Sequence, residues 1–142
     1  MSRPTIVFDT NAIISALMYP DSVSSKALVE AIKYFQLVAS DRTWNELAEV
    51  SSRKKFAKYY SQDSRLHYLT QLAAVSRFCE VKTIVTECKD ASDNKFLELA
   101  IDANSKVIVS GDADLRSMHK FNDIAIISPS EFLALLTESD AE

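Results

Sequence analysis

Short apolar runs rich in β-branched residues alternate with stretches of helical periodicity along this chain from Thr5 to Leu136. A strand covered by helices on both faces reads as a continuous apolar run, because neither face meets water. Thr5 to Asp9, Phe35 to Ala39, Glu80 to Val85, Lys106 to Ser110 and Ile124 to Ile127 have that character. Helical spacing fills the intervals. Ala12 to Leu17 stops near Pro20, and Ser24 or Ser25 opens a helix bearing Ala27, Leu28, Ala31 and Ile32. Ser40 or Asp41 caps the helix of Trp44, Leu47, Ala48 and Val50. Leu66, Leu69, Leu72, Ala73 and Val75 to Phe78 recur at helical intervals, as do Phe96, Leu97, Leu99 and Ala100. Leu115 and Met118 mark a short helix. Ser128 to Glu131 combines a capping box with Pro129 at the first helical position, opening the helix of Phe132 to Leu136. The expected fold class is α/β: a three-layer α/β/α sandwich around a central parallel sheet of four or five strands.

The length of 142 residues suits one domain spanning 1–142. One Gly and three Pro leave no room for a flexible linker. The lone Gly111 cannot build the glycine-rich cradle of a nucleotide-binding loop, which excludes P-loop and dinucleotide folds. Cys79 and Cys88 lack a CxxC spacing, and Cys79 reads as a buried reduced thiol. No basic segment precedes an apolar one at the start, and no apolar run reaches ~18 residues. The default expectation is a cytoplasmic protein without a membrane span. A net charge of −4 argues against a nucleic-acid binder that uses its whole surface, but allows a basic rim around an acidic centre.

In parallel α/β sheets, functional groups collect beyond the carboxyl ends of the strands. Asp9 ends the first run and Asp112 lies just past the fourth. Asp93, with Asp90 before it, opens a helix, and Glu46 lies within one. Each has an ordinary reading alone: helix caps for Asp9, Asp90 and Asp93, a surface residue for Glu46, a turn for Asp112 and Asp114. Together they bring carboxylates to one edge. Like charges ~4 Å apart at an effective dielectric of ~20 repel by roughly 4 kcal/mol. A hard divalent cation, Mg²⁺ or Mn²⁺, relieves such a cluster. The chemistry expected is metal-dependent cleavage of phosphodiesters. Acids scattered beyond mutual reach, or pinned in internal salt bridges, would remove that reading.

The pattern closely resembles the PIN-domain family, especially the VapC-like bacterial ribonucleases of toxin–antitoxin systems. The resemblance runs from Thr5 to Leu136. It rests on Asp9 with Thr10 and Asn11, on Glu46, on the helix start from Asp93 to Leu97, and on Ser110 to Asp114. Ile127 to Leu133 is similar to the end of one PIN subfamily. The resemblance implies metal and catalytic roles for Asp9, Glu46, Asp93 and Asp112, with Asp114 further out and Asn11 and Ser110 supporting. Ala91 departs from it, since relatives often have Pro after the first Asp of that segment. RNA hydrolysis with Mg²⁺ or Mn²⁺ is implied, together with a homodimer or higher homo-oligomer and an antitoxin whose tail covers the acids.

Arg53, Lys54, Lys55 and Lys58 follow the Glu46 helix and are candidates to grip RNA phosphates, as are Arg42, Lys95 and Arg116. A solvated charged face is their ordinary reading. Tyr59 and Tyr60 beside them could stack on bases. His67 and His119, in helical contexts, read as surface residues and offer no Ser/His/Asp arrangement. A haloacid-dehalogenase-like phosphatase needs a second Asp where Asn11 stands, and a receiver domain needs an acidic pair and a late Lys that are absent. The remaining rival is a catalytically silent PIN-like scaffold that binds RNA or protein.

Overall fold

The computed structural model describes residues 3–141, with side chains to Glu138. The strands are β1 (Thr5–Phe8), β2 (Gln36–Ala39), β3 (Ser76–Phe78), β4 (Val107–Val109), β5 (Lys120–Phe121) and β6 (Ile124–Ile127). The helices are α1 (Thr10–Met18), α2 (Val23–Tyr34), α3 (Asp41–Ser51), α4 (Gln62–Val75), α5 (Asn94–Asp102), α6 (Ala113–Arg116) and α7 (Pro129–Ala141). Short 3₁₀ turns cover Lys54–Phe56 and Ala91–Asp93.

The sheet order is β3-β2-β1-β4-β6-β5, parallel throughout except for the two-residue β5, which pairs antiparallel with β6. β1 lies at the centre, and its side chains divide between two cores. Ile6 and Phe8 join Leu37, Val109 and residues of α1, α2, α3, α4 and α7. Val7 joins Val38, Ile108, Ile126 and residues of α5 and α6. Helices therefore cover both faces, which is the expected three-layer α/β/α arrangement. The caps form as the side chains dictate: Ser40 caps α3 in a capping box with Thr43. Ser128 and Glu131 exchange reciprocal bonds at the start of α7.

Three elements depart from the sequence expectation of four or five parallel strands, the first being the antiparallel β5, which makes a sixth strand at the edge. Ser76–Phe78, expected to extend a helix, pairs in register with Leu37–Ala39 as the edge strand β3. Glu80 to Val85, expected as a strand, has no strand partner. The ladder ends where Cys79 N–H donates to Ala39 O at 2.8 Å. The chain then leaves the sheet as an extended strap over α5. Three polar residues one turn apart on α5 hold it. Asp102 Oδ2 accepts from Lys82 N at 2.6 Å and Thr83 N at 2.9 Å. Glu98 Oε2 accepts from Val85 N at 3.0 Å, and Asn94 Oδ1 from Cys88 N at 2.9 Å. The strap runs antiparallel to the helix, and helical side chains take the place of a neighbouring strand. The period-two apolar pattern of a strand also describes this strap, since Val81, Thr83 and Val85 turn inward while Lys82 and Ile84 face out. Other differences are small. Cys79 is half-buried rather than buried. His119 is exposed, but in a left-handed turn (φ 58°) beyond α6 rather than within a helix.

The Thr83 hydroxyl also donates to Asp102, and these bonds hold the Asp102 carboxyl below the usual carboxylate range. Asp102→Ala is expected to cost about 1–3 kcal/mol, the worth of hydrogen bonds to a charged group. Hydrogen exchange is the check: the Lys82 and Thr83 amides should lose protection, while those of β1 keep theirs.

Candidate active site

Asp9 is the N-cap of α1, directly after β1, and is 2% exposed. Its Oδ1 accepts from Ala12 N at 2.9 Å and Gly111 N at 3.0 Å. Its Oδ2 accepts from the fully buried Ser110 hydroxyl. Ser110 in turn accepts from Asp112 N at 2.9 Å, so the β4–α6 connection is tied to the end of β1. Burial raises the Asp9 pKa, the nearby Asp112 charge adds to the rise, and the three bonds oppose it. The only glycine in the chain lies at a tight approach. A Cβ on Gly111 would lie 3.0 Å from Ala12 N and 3.1 Å from the Asn11 carbonyl carbon, so the backbone there would have to give by a few tenths of an ångström.

Asp112 caps α6, accepts from Asp114 N at 2.9 Å and is partly exposed. Asp93, between the 3₁₀ turn and α5, is 8% exposed, and its carboxylate accepts no hydrogen bond from the described residues. Its pKa is pushed up to about 7, first by burial, then by the charges of Asp112, Asp90 and Asp9. Asp9, Asp93 and Asp112 thus share one field although they come from distant segments. Asp90 stands outside, exposed, and accepts from both the backbone and the hydroxyl of Ser92, which lowers its pKa.

Glu46 is placed differently. Its Oε2 pairs with Lys95 Nζ at 2.5 Å and its Oε1 accepts from Thr10 Oγ1 at 2.5 Å. It reaches the same edge through Thr10, the neighbour of Asp9, but as half of a salt bridge. Neither Thr10 nor the Lys95 pairing was expected from the sequence. Their one signal was adjacency, to Asp9 and Asp93 respectively.

The basic candidates are dispersed. Arg53 pairs with Glu49 at 2.9 Å on an exposed face. Lys54 is exposed, Lys55 lies over the Phe56 ring and Lys58 over the Tyr59 ring. Tyr59 packs edge-on against Tyr19, and the Tyr60 hydroxyl donates to Ser51 O at 2.7 Å. Arg116, on α6, has a buried Nε without a hydrogen-bond partner among the described residues. Asn11 and Asp114 are exposed beside the acids, and Arg42 is exposed in the first turn of α3.

The PIN domain family matches residues 5–114, well over half of the chain, and the chain belongs to that family. An uncharacterized protein of Methanocaldococcus jannaschii, MJ1680, is 30% identical over 140 residues, covering 90% of this chain and 88% of its own length. Among solved structures, PAE2754 from Pyrobaculum aerophilum has a similar fold, with a TM-score of 0.57 at 15% identity, covering 96% of this chain and 99% of that one. The RRP44 PIN domain of T. brucei is similar with a TM-score of 0.51 at 13% identity, covering 98% of this chain and 84% of that one. The fold is therefore of a nuclease type, in a family whose members are generally nucleases and typically use divalent ions. No helix among the described residues is long and apolar enough to cross a membrane.

The donor set can be tested against such an ion. Asp9, Asp93 and Asp112 present only hard carboxylate oxygens, which suit Mg²⁺ or Mn²⁺. The nearby Cys88 thiol is pushed up to about 11 by burial and by Asp93, and a soft sulfur donor is a poor match for a hard ion. Among the described residues, no group of three or more His, Cys, Asp or Glu is arranged to hold an ion unaided. The residues thus fit a hydrated ion held by one or two carboxylates, as Mg²⁺ prefers, rather than a closed protein cage.

Two outcomes follow. Gly111→Ala should push the β4–α6 connection off Asn11 and Ala12 and cost about 1–3 kcal/mol, seen as a lowered unfolding midpoint in denaturant. The second concerns pH. Folding raises Asp93 from an ordinary 3.8 to about 7, so its contribution to stability is complete below the lower value and lost as pH rises through the higher. In chelator, Asp93→Asn should therefore melt above the wild type at pH 8, with the gap narrowing as pH falls through 7 and closing only near 3.8.

Proposed function

We propose that this protein is a Mg²⁺- or Mn²⁺-dependent endoribonuclease that hydrolyses RNA phosphodiester bonds in the cytoplasm, as the toxin of a toxin–antitoxin pair. The observation that carries the reading is Asp93. A buried carboxylate without a hydrogen-bond donor, facing Asp112, Asp90 and Asp9, is unfavourable in isolation and suited to a cation. Asp93 and Asp112 are the residues to hold the ion directly. Asp9, with three of its roughly four acceptor positions occupied, positions the β4–α6 connection and keeps one for a water or the ion. Glu46 serves at the rim, where Lys95 orients it. Asn11, Ser110, Asp90 and Asp114 support this arrangement. When bound, a divalent ion supplies charge neutralisation at the scissile phosphate and a more acidic water.

RNA as the substrate, the toxin role, a homodimer or higher homo-oligomer and an antitoxin partner rest on the resemblance carried by Asp9, Thr10, Asn11, Glu46, Asp93 and Ser110 to Asp114. A second reading, a silent scaffold, is favoured by the Lys95–Glu46 salt bridge, which already neutralises one acid.

Incubation with single-stranded RNA in Mn²⁺, with and without chelator, separates the two. Cleavage should require the ion, and Asp93→Asn or Asp112→Asn should lower it at least about 100-fold. Calorimetry should show Mn²⁺ binding lost in parallel. Binding of RNA with neither cleavage nor Mn²⁺ affinity would establish the scaffold. Induced expression that arrests bacterial growth with the wild type but not with Asp93→Asn would test the toxin role.

A further inference from the structure

A cavity of about 550 Å³ opens between the start of α3, the strap and α5. It lies on the same sheet edge as the acids. Asp9 follows β1, Ser40 to Arg42 follow the adjacent β2, and Cys79 to Ile84 follow β3 next to that. Lys95 joins the two regions, since it lines the cavity and pairs with Glu46. The volume falls in the range of small-molecule sites, ~300–1,000 Å³.

The lining carries three cations, Arg42, Lys82 and Lys95, and three acids, the exposed Asp41 and Glu80 and the buried Glu98. On the strap, Lys82 and Ile84 face outward on the same side of an extended backbone, and both line the cavity. Ile84 is 84% exposed, although its neighbour Val85 is buried in the core. Across from them stands Arg42. Arg42 and Lys82 form no salt bridge among the described residues. Glu98, the acid deepest in the wall, is directed to the strap through Val85 N–H. Unpaired cations beside an exposed aliphatic side chain, next to a site for phosphodiesters, suit a unit that is anionic at one end and flat and apolar at the other.

We infer that this cavity receives one nucleotide of the RNA strand next to the phosphate being cut, with the base against Ile84 and its phosphate between Arg42 and Lys82. The inference rests on the nuclease reading for its substrate class. It assigns the strap the task of selecting the flanking nucleotide, and Arg42, Lys82 and Ile84 act as specificity-determining residues, away from the acids.

The test uses the full chain in chelator, so that no strand is cut. A single-stranded RNA hexamer is titrated while the Ile84 methyl resonances are followed. They should shift in a saturable manner. Arg42→Ala combined with Lys82→Ala should weaken binding at least about tenfold, with the slope of log affinity against log salt falling by ~0.7, the loss of one neutralised phosphate on a single strand. Ile84→Ser should change the preference among hexamers of different sequence and leave that slope unchanged. Mn²⁺ affinity, measured by calorimetry, should be the same in all three proteins. RNA that fails to bind, that binds without moving the methyls, or that binds the double variant as tightly as the wild type overturns the inference. Loss of the nuclease reading has a separate signature: no Mn²⁺ binding and no cleavage in the wild type, whatever the methyls do.

Discussion

A carboxylate enclosed at the end of a central strand has to find its partners inside the protein, and Asp9 finds them on two separate segments. Its Oδ1 is shared by the α1 backbone and Gly111, and its Oδ2 is held by Ser110. Removing the donors would leave a desolvated charge, which costs several kcal/mol. The chain therefore closes around Asp9. β1 and β4 are held in register, α1 begins where it must, and the connection carrying Asp112 is drawn against Asn11 and Ala12. The closeness of that approach is what disfavours a side chain at position 111. The geometry of the acidic edge is thus a by-product of satisfying its most buried member.

The acids gathered at this edge are accommodated in four ways, one for each of Asp9, Glu46, Asp93 and Asp112. Asp9 has hydrogen-bond donors. Glu46 has the ammonium of Lys95. Asp112 has partial exposure to water and one backbone N–H. Asp93 has none of these, and without a cation it is left to hold a proton near neutral pH. The order matters for chemistry. A site in which every carboxylate were paired internally would have no affinity left for an ion, whereas one with every carboxylate bare would destabilise the fold. Here the unfavourable interaction is concentrated on Asp93, at the start of a helix whose remaining contacts are well packed.

Much of this was legible in the sequence because it depends on short-range patterning. The continuous apolar runs of β1, β4 and β6 and the capping residues of α3 and α7 are local signals, and each appears at or near its expected place. The places of Asp9 and Asp112 beyond β1 and β4 followed from the rule for strand ends, whereas Asp93 opens α5 and follows no strand. What was not legible depends on competition between segments. Glu80 to Val85 has the composition of a strand, but Ser76–Phe78 reaches the β2 edge first and the later segment is held by α5 instead. Nothing in a linear pattern ranks those two. The Lys95–Glu46 pair, 49 residues apart, was equally invisible, because only the packing of α3 near α5 makes them neighbours.

The helix α5 shows why the strap and the acidic edge belong together. One side of it is core, with Phe96, Leu97, Leu99 and Ala100 buried. Another side presents Asn94, Glu98 and Asp102 to the strap. Its first turn sends Lys95 to Glu46, and Asp93 immediately precedes it. A displacement of this one element would change the field around Asp93, the pairing of Glu46 and the wall of the neighbouring cavity at once. The two regions differ in how firmly they are held. Asp9 is fixed by bonds largely shielded from water, while the strap depends on a row of individual bonds, most of them only partly buried, with no second strand beside it among the described residues. Local opening concentrates where backbone hydrogen bonds are exposed and apolar contacts few. The fold thus sets a firmly bonded acidic centre beside a strap whose hold on α5 is a single row of bonds.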